Sequence, residues 1–387
     1  MTDHPLSPES PRSHFPSHSE PRVWVISSGD SPIGISLTRQ ILAHGDSAVV
    51  GLAPSNLDRD EYRRGQFEAF LEEVDEHSGE GWTQRLKAVV LDLRMMGQCQ
   101  AVVAEAVATF GKMDILVCCT SQAVVGSVEE LGASPRTMNL VRDQFETNFF
   151  GPVNIIKAAL PHMRRQKSGH IMVLSGITGH IGTPGLGAYC ASGWALEGFC
   201  DSIAYEIAPF NIKLTILQCS IEIGILSNLV TSVPPILPAY APSNNHAPLF
   251  RSILNRLVSR LPNANGGDSA STNTNGHADS SAEQENTGAN GPFSAPEVVS
   301  MYPPLSPAHL EILTAETVHA LTAIGGHENP PSRHIVGQEG VASVKEKLKT
   351  VSEELEDFIQ ASCAVDITPD GESTRGCKED AVGNMTI

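Results

Sequence analysis

Positive charge is scarce in this chain: 26 Lys and Arg stand against 44 Asp and Glu in 387 residues, a formal net charge of −18. Neutralising nucleic-acid phosphates takes clustered cations, so that balance excludes a nucleic-acid partner. Part of the acidity lies in runs such as Glu353–Asp357 and Glu372–Asp380, which read as solvated faces. Long apolar runs are absent too. Crossing a bilayer takes about eighteen or more apolar residues in a row, and none occurs. The Pro- and Ser-rich N-terminal segment has no apolar stretch of the kind a signal peptide needs. Together these absences imply a cytoplasmic protein. Cysteine is present eight times, but Cys99, Cys118, Cys119, Cys190, Cys200, Cys219, Cys363 and Cys377 show no metal-ligand spacing. No metal is therefore expected, and the thiols read as small buried hydrophobes.

What is present alternates. Val23–Ser27 is a short apolar run bounded by Pro21 and Gly29, so a buried strand. Helical spacing of Ile33, Leu37, Ile41 and Leu42 follows, stopped at Gly45. Ser47–Leu52, Lys87–Leu93, Met113–Cys118, His170–Leu174 and Ile212–Leu217 read as further strands. Val102–Phe110, Asn148–Met163 and Ala188–Ala208 read as helices between them. Strands alternating with helices imply an α/β fold, a Rossmann-type doubly wound parallel sheet of about seven strands.

This reading divides the chain into a disordered segment over 1–20, a Rossmann core over 21–229 and a lid-like insertion over 230–305. The fold resumes over 306–366, with a last strand at Arg333–Val336 and a charged helix at Val341–Ile359, and a tail follows over 367–387. Within the insertion, Pro262–Pro292 is rich in Asn, Gly, Ser and Asp and too polar to offset its ordering entropy. Leu249–Leu261 carries one apolar stripe beside Arg251, Arg256 and Arg260. It suits a lid helix over a pocket, with a membrane-surface or partner helix as the alternative.

The stretches "FETNFFGPVNIIKAALPHMRRQKSGHIMVLSG" and "LGAYCASGWALEGFCDSIAYEIAPFNIKLTIL" closely resemble the short-chain dehydrogenase/reductase family, nearest its retinol- and hydroxysteroid-dehydrogenase-like members. The resemblance implies an NAD- or NADP-linked oxidoreductase of a small lipophilic carbonyl or alcohol, built as a homo-oligomer. It also implies a phosphate loop T-G-x-x-x-G-x-G, for which this chain has Ser27–Gly34. Ser28, Gly29, Ile33 and Gly34 would face the dinucleotide, but Ser28 and Pro32 replace two glycines, and proline brings no N–H. Asp92 matches the family's adenine contact, while Ala53–Ser55 supplies neither the acid nor the base that selects between the cofactors.

Of the family's catalytic Asn, Ser, Tyr and Lys, the resemblance maps two onto Asn148 and Tyr189, and the other two positions are Gly176 and Gly193. Ser175 and Thr178 flank the empty serine position and offer substitute hydroxyls. A phenol with a pKa of about 10 is roughly one part in a thousand ionised near neutrality without help. The expectation is therefore weak or absent cofactor binding and weak or silent hydride transfer. A binding or regulatory protein and a non-redox enzyme reusing the pocket are the alternatives.

Overall fold

The computed structural model describes residues 14–219, 229–233, 236–240, 244, 300–301 and 307–359. The Leu249–Leu261 stripe, the Pro262–Pro292 tract and the tail beyond residue 366 lie outside them.

In chain order the described elements are β1 (Val23–Ile26), α1 (Pro32–His44), β2 (Ser47–Leu52), α2 (Pro54–Arg59), α3 (Glu61–Glu76), α4 (Trp82–Arg85), β3 (Leu86–Val90) and α5 (Met96–Phe110). They continue with β4 (Ile115–Cys118), β5 (Gln122–Val125), α6 (Val128–Gly132), α7 (Pro135–Phe145), α8 (Gly151–Gln166), β6 (Gly169–Gly176), α9 (Gly187–Ile207) and β7 (Ile212–Cys219). Then come β8 (Leu229–Ser232), β9 (Ser300–Met301), a helix over Pro307–Ile324, β10 (Arg333–Ile335) and a helix over Gln338–Asp357. The chain divides into two compact units, Met1–Gly340 and Val341–Ile387. Most of the last helix belongs to the second, and it is amphipathic and largely exposed.

The main sheet has seven strands in the order β10-β7-β6-β4-β1-β2-β3, every neighbouring pair parallel. Its five inner strands, β7, β6, β4, β1 and β2, are largely buried on both faces, which is why they read as continuous apolar runs. Val23 and Val25 of β1 join one core layer with residues of α5, α8 and α9, while Trp24 and Ile26 join the other with α1, α3 and the helix Pro307–Ile324. The strand order reverses between β1 and β4, the place where such sheets open a crevice at their carboxyl ends. A second, three-stranded sheet, β5-β8-β9, leaves the same edge after β4.

Helix α1 begins on a Ser31 cap, with Pro32 in its first turn and the Ser31 hydroxyl accepting from the Gly34 N–H. It stops at Gly45, whose φ of 103° is the left-handed conformation a glycine tolerates. The N-terminal segment is not loose throughout its length. From His14 it is described, and the Phe15 ring packs edge-on to Trp24 and stacks on His44.

Candidate active site

The carboxyl edges of β4 and β6 and the first turns of α9 bring the resemblance-mapped residues together. Tyr189 lies in α9 and is 7% exposed; its hydroxyl accepts from Ser121 at 3.5 Å. Asn148 sits in a π-helical turn at 146–150, just before α8. Its side-chain oxygen accepts from the Gln122 N–H (2.9 Å) and its amide donates to the Gln122 carbonyl (2.8 Å). A longer bond runs from the same amide to the Ser192 hydroxyl, which itself donates to the Tyr189 carbonyl. Asn148 therefore splints the start of β5 against α9, with both of its amide protons donated within the fold.

Burial pushes the Tyr189 phenol up to about 12; the Ser121 hydrogen bond opposes that shift, and the Cys219 and Cys190 thiols reinforce it. None of those groups is a cation. A Cβ placed on Gly176 would stand 3.8 Å from the Tyr189 hydroxyl, so position 176 does face the phenol. The same Cβ would meet the Thr178 Oγ1 at 2.9 Å, which fills the space a serine there would need. That hydroxyl also lies 4.0 Å from where a Cβ on Gly193 would be. Thr178 is 1% exposed, and its Oγ1 has no hydrogen-bond partner among the described residues. Leaving a buried hydroxyl unmatched costs on the order of 1–3 kcal/mol, so it is available to a ligand oxygen beside Tyr189.

The Ser175 hydroxyl turns elsewhere. It donates to Glu197 at 2.7 Å, one bond of a buried polar cluster the sequence did not reveal. Glu197, 4% exposed, also accepts from the Gln218 amide (2.9 and 3.0 Å) and pairs with Arg333. His180 and Asp201 extend the cluster through Gln218 and Arg333. Glu197 reads in sequence as one more polar position of a helix; only the crossing of β6, β7 and β10 behind α9 shows that it is enclosed.

At the phosphate loop, Gly34 is demanded by packing, since a Cβ there would lie 2.0 Å from the Ser28 carbonyl oxygen. The Gly29 N–H is committed to the Gly51 carbonyl, the Gly34 N–H to Ser31, and the Ile33 side chain is in the core. Asp30, just ahead of the cap, is 1% exposed and paired with Arg63 of α3. The Ser28 hydroxyl completes the knot by donating to Asp30 and accepting from Arg63 at 2.8 Å. The Asp92 carboxylate is engaged by Arg94, whose hydrogen bonds hold it below its ordinary value. The helix start offers few free N–H groups, and a buried carboxylate already sits where an anion would be drawn.

The profile of the family described as short chain dehydrogenase matches residues 23–223. The chain is 30% identical over 198 residues to "Oxidoreductase BOA17" of Botryotinia fuckeliana, covering 51% of this chain and 64% of that protein. It is 32% identical over 207 residues to human retinol dehydrogenase 8, covering 51% and 58%. These alignments thus span less than two thirds of either relative. Among solved structures, a short-chain dehydrogenase from Streptomyces avermitilis superposes with a TM-score of 0.60 at 22% identity, covering 90% of this chain and all of that one, a likeness of fold. With the parallel sheet and the family profile over its core, the chain belongs to the short chain dehydrogenase family.

Proposed function

We propose that this chain keeps its family's pocket for a small lipophilic carbonyl or alcohol while transferring hydride weakly or not at all. The observation that carries this reading is the buried Tyr189 hydroxyl, pushed up to about 12 with no cation among the groups that act on it. As a base it is then ionised in roughly one molecule in 10⁵ at pH 7. The Asp30–Arg63 knot in the phosphate loop argues the same way for NAD or NADP. The deciding experiment is a fluorescence titration of the purified chain with NADPH and NADH, followed by a carbonyl-reduction assay. Saturation is expected only well above the low micromolar range, with no turnover that Tyr189→Phe abolishes. Low-micromolar binding together with Tyr189-dependent reduction would overturn the reading.

A second reading, residual carbonyl reduction, is favoured by the unpartnered Thr178 hydroxyl. In it Thr178 donates to the substrate oxygen and the neutral phenol of Tyr189 gives up its proton as that oxygen becomes an alkoxide. Reduction needs only the protonated phenol, so its rate would be flat from pH 6 to 9. Oxidation needs the phenolate and would rise about tenfold per pH unit over the same range.

A further inference from the structure

At the opposite edge of the sheet, where β1 and β2 begin, three donor atoms converge. The Nε2 of His18 lies 3.1 Å from the Nε2 of His44 and 3.5 Å from an oxygen of Asp46. All three donors lie within 4.8 Å of one another. Each is held from behind. The His18 Nδ1 is 2.8 Å from the Glu20 carbonyl oxygen. A carbonyl only accepts, so the ring proton sits on Nδ1 and the Nε2 lone pair points at the other two groups. His44, the last residue of α1, is oriented by the Phe15 ring stacked on it at 4.0 Å. The Asp46 side chain is fully buried; one oxygen accepts from the Arg22 N–H (2.8 Å) and the other from the Trp24 indole (3.1 Å).

With the His44 Nε2 unprotonated, its lone pair and that of His18 face each other and the Asp46 carboxylate. A proton on the His44 Nε2 would satisfy the His18 lone pair and leave Asp46 engaged by neither ring, whereas a metal would engage all three groups at once. With metal–ligand bonds of about 2.0–2.2 Å, the donors of a tetrahedral site stand roughly 3.3–3.5 Å apart. The His18–Asp46 separation of 3.5 Å meets that range, and the His18–His44 separation of 3.1 Å falls a little short of it. The Nδ1–H donated to a backbone carbonyl is also the outer-shell bond that orients a ligating histidine.

We propose that His18, His44 and Asp46 form a binding site for one divalent transition metal of the zinc class, with a fourth position open to water beside the exposed His44. Imidazole and carboxylate donors suit Zn²⁺ and its neighbours better than Mg²⁺ or Ca²⁺. His18 belongs to the segment ahead of β1, whereas His44 and Asp46 flank the α1–β2 turn. The metal would therefore clip that segment to the sheet, far from the carboxyl edge that carries Tyr189.

The test uses the full-length chain without affinity-tag histidines, stripped with EDTA and dialysed. Calorimetric titration with ZnCl₂ and the visible spectrum with Co²⁺ should show one equivalent bound, with tetrahedral bands and no thiolate charge-transfer band. His18→Gln and His44→Gln, each checked by circular dichroism and by melting in EDTA, should each weaken binding at least tenfold. They should also lose the rise in melting temperature that Zn²⁺ gives the parent chain. Absence of binding, or binding unchanged in both variants, or a thiolate band at one equivalent, would each overturn the proposal.

Discussion

At the scale of single residues, the two glycines that the resemblance maps onto the family's serine and lysine are not equivalent. A Cβ at position 193 would make ordinary contacts, 3.9 Å from the Ser175 Oγ and 4.0 Å from the Thr178 Oγ1, so a side chain can start there without a clash. A Cβ at position 176 crowds the Thr178 Oγ1 at 2.9 Å, so Gly176→Ser requires that hydroxyl to rotate away. Gly193→Lys alone should therefore bring an ammonium towards Tyr189 and lower its pKa from about 12 by at least one unit. Alkaline difference titration at the tyrosinate band, against the same variant carrying Tyr189→Phe, reads the change. An unmoved titration would show that position 193 does not address the phenol. Gly176→Ser combined with Thr178→Ala should be better tolerated than Gly176→Ser alone, by about 1 kcal/mol or more in urea unfolding. That Gly176 and Gly193 stand at the family's serine and lysine positions is a reading of the resemblance, which rests on a long, ordered motif. The occupation of their space by Thr178, and the diversion of Ser175 to Glu197, depend on side-chain directions that spacing does not encode.

At the scale of elements, α3 is the piece whose importance the sequence understated. It is strongly charged, and only Phe67, Phe70 and Val74 face the core, too thin a stripe to stand out against Glu and Asp on every other side. Yet it delivers Arg63 to Asp30 and Arg39 of α1 meets its Glu73 in a two-pronged pair. Breaking a buried pair from one side leaves an uncompensated charge, so Arg63→Leu should cost about 3 kcal/mol in urea unfolding. The double variant Arg63→Leu with Asp30→Asn should recover much of that loss, and additive costs would show that the two side chains are not coupled. The strands of the main sheet were readable because burial on both faces leaves runs of Val, Ile and Leu. β2 kept both its expected bounds and the ends of the others moved by at most three residues, most at β3, which is exposed over much of its length. Strands β5 and β8 were missed: each has four residues, and their pairing joins positions more than a hundred residues apart. No local pattern announces such a contact.

At the scale of the whole molecule, the two core layers are stitched together at points where polar groups are sealed inside, and these set its response to acid. His170 of β6 is 2% exposed. It accepts from the Gly326 N–H at Nδ1 (3.0 Å) and meets the Thr215 hydroxyl at Nε2 (3.0 Å), so the native ring is the neutral Nε2–H tautomer. Burial first, then the positive charges of Lys213 and Arg22, lower its pKa from 6.5 to about 3. The unfolded ring takes up a proton near pH 6.5 and the native ring does not. Between those two values the unfolded state binds more protons, so stability rises with pH and falls as acid is added. The contribution is fully present above about pH 6.5 and lost progressively towards pH 3, amounting to about 2 kcal/mol between pH 7 and pH 5. Urea unfolding at the two pH values should show this loss in the parent chain. His170→Gln should be less stable at pH 7, since its hydrogen bonds are poorer, yet should lose about 2 kcal/mol less on going to pH 5. Parallel losses in the two proteins would mean that other groups carry the acid sensitivity and that the sealed His170 contributes only packing.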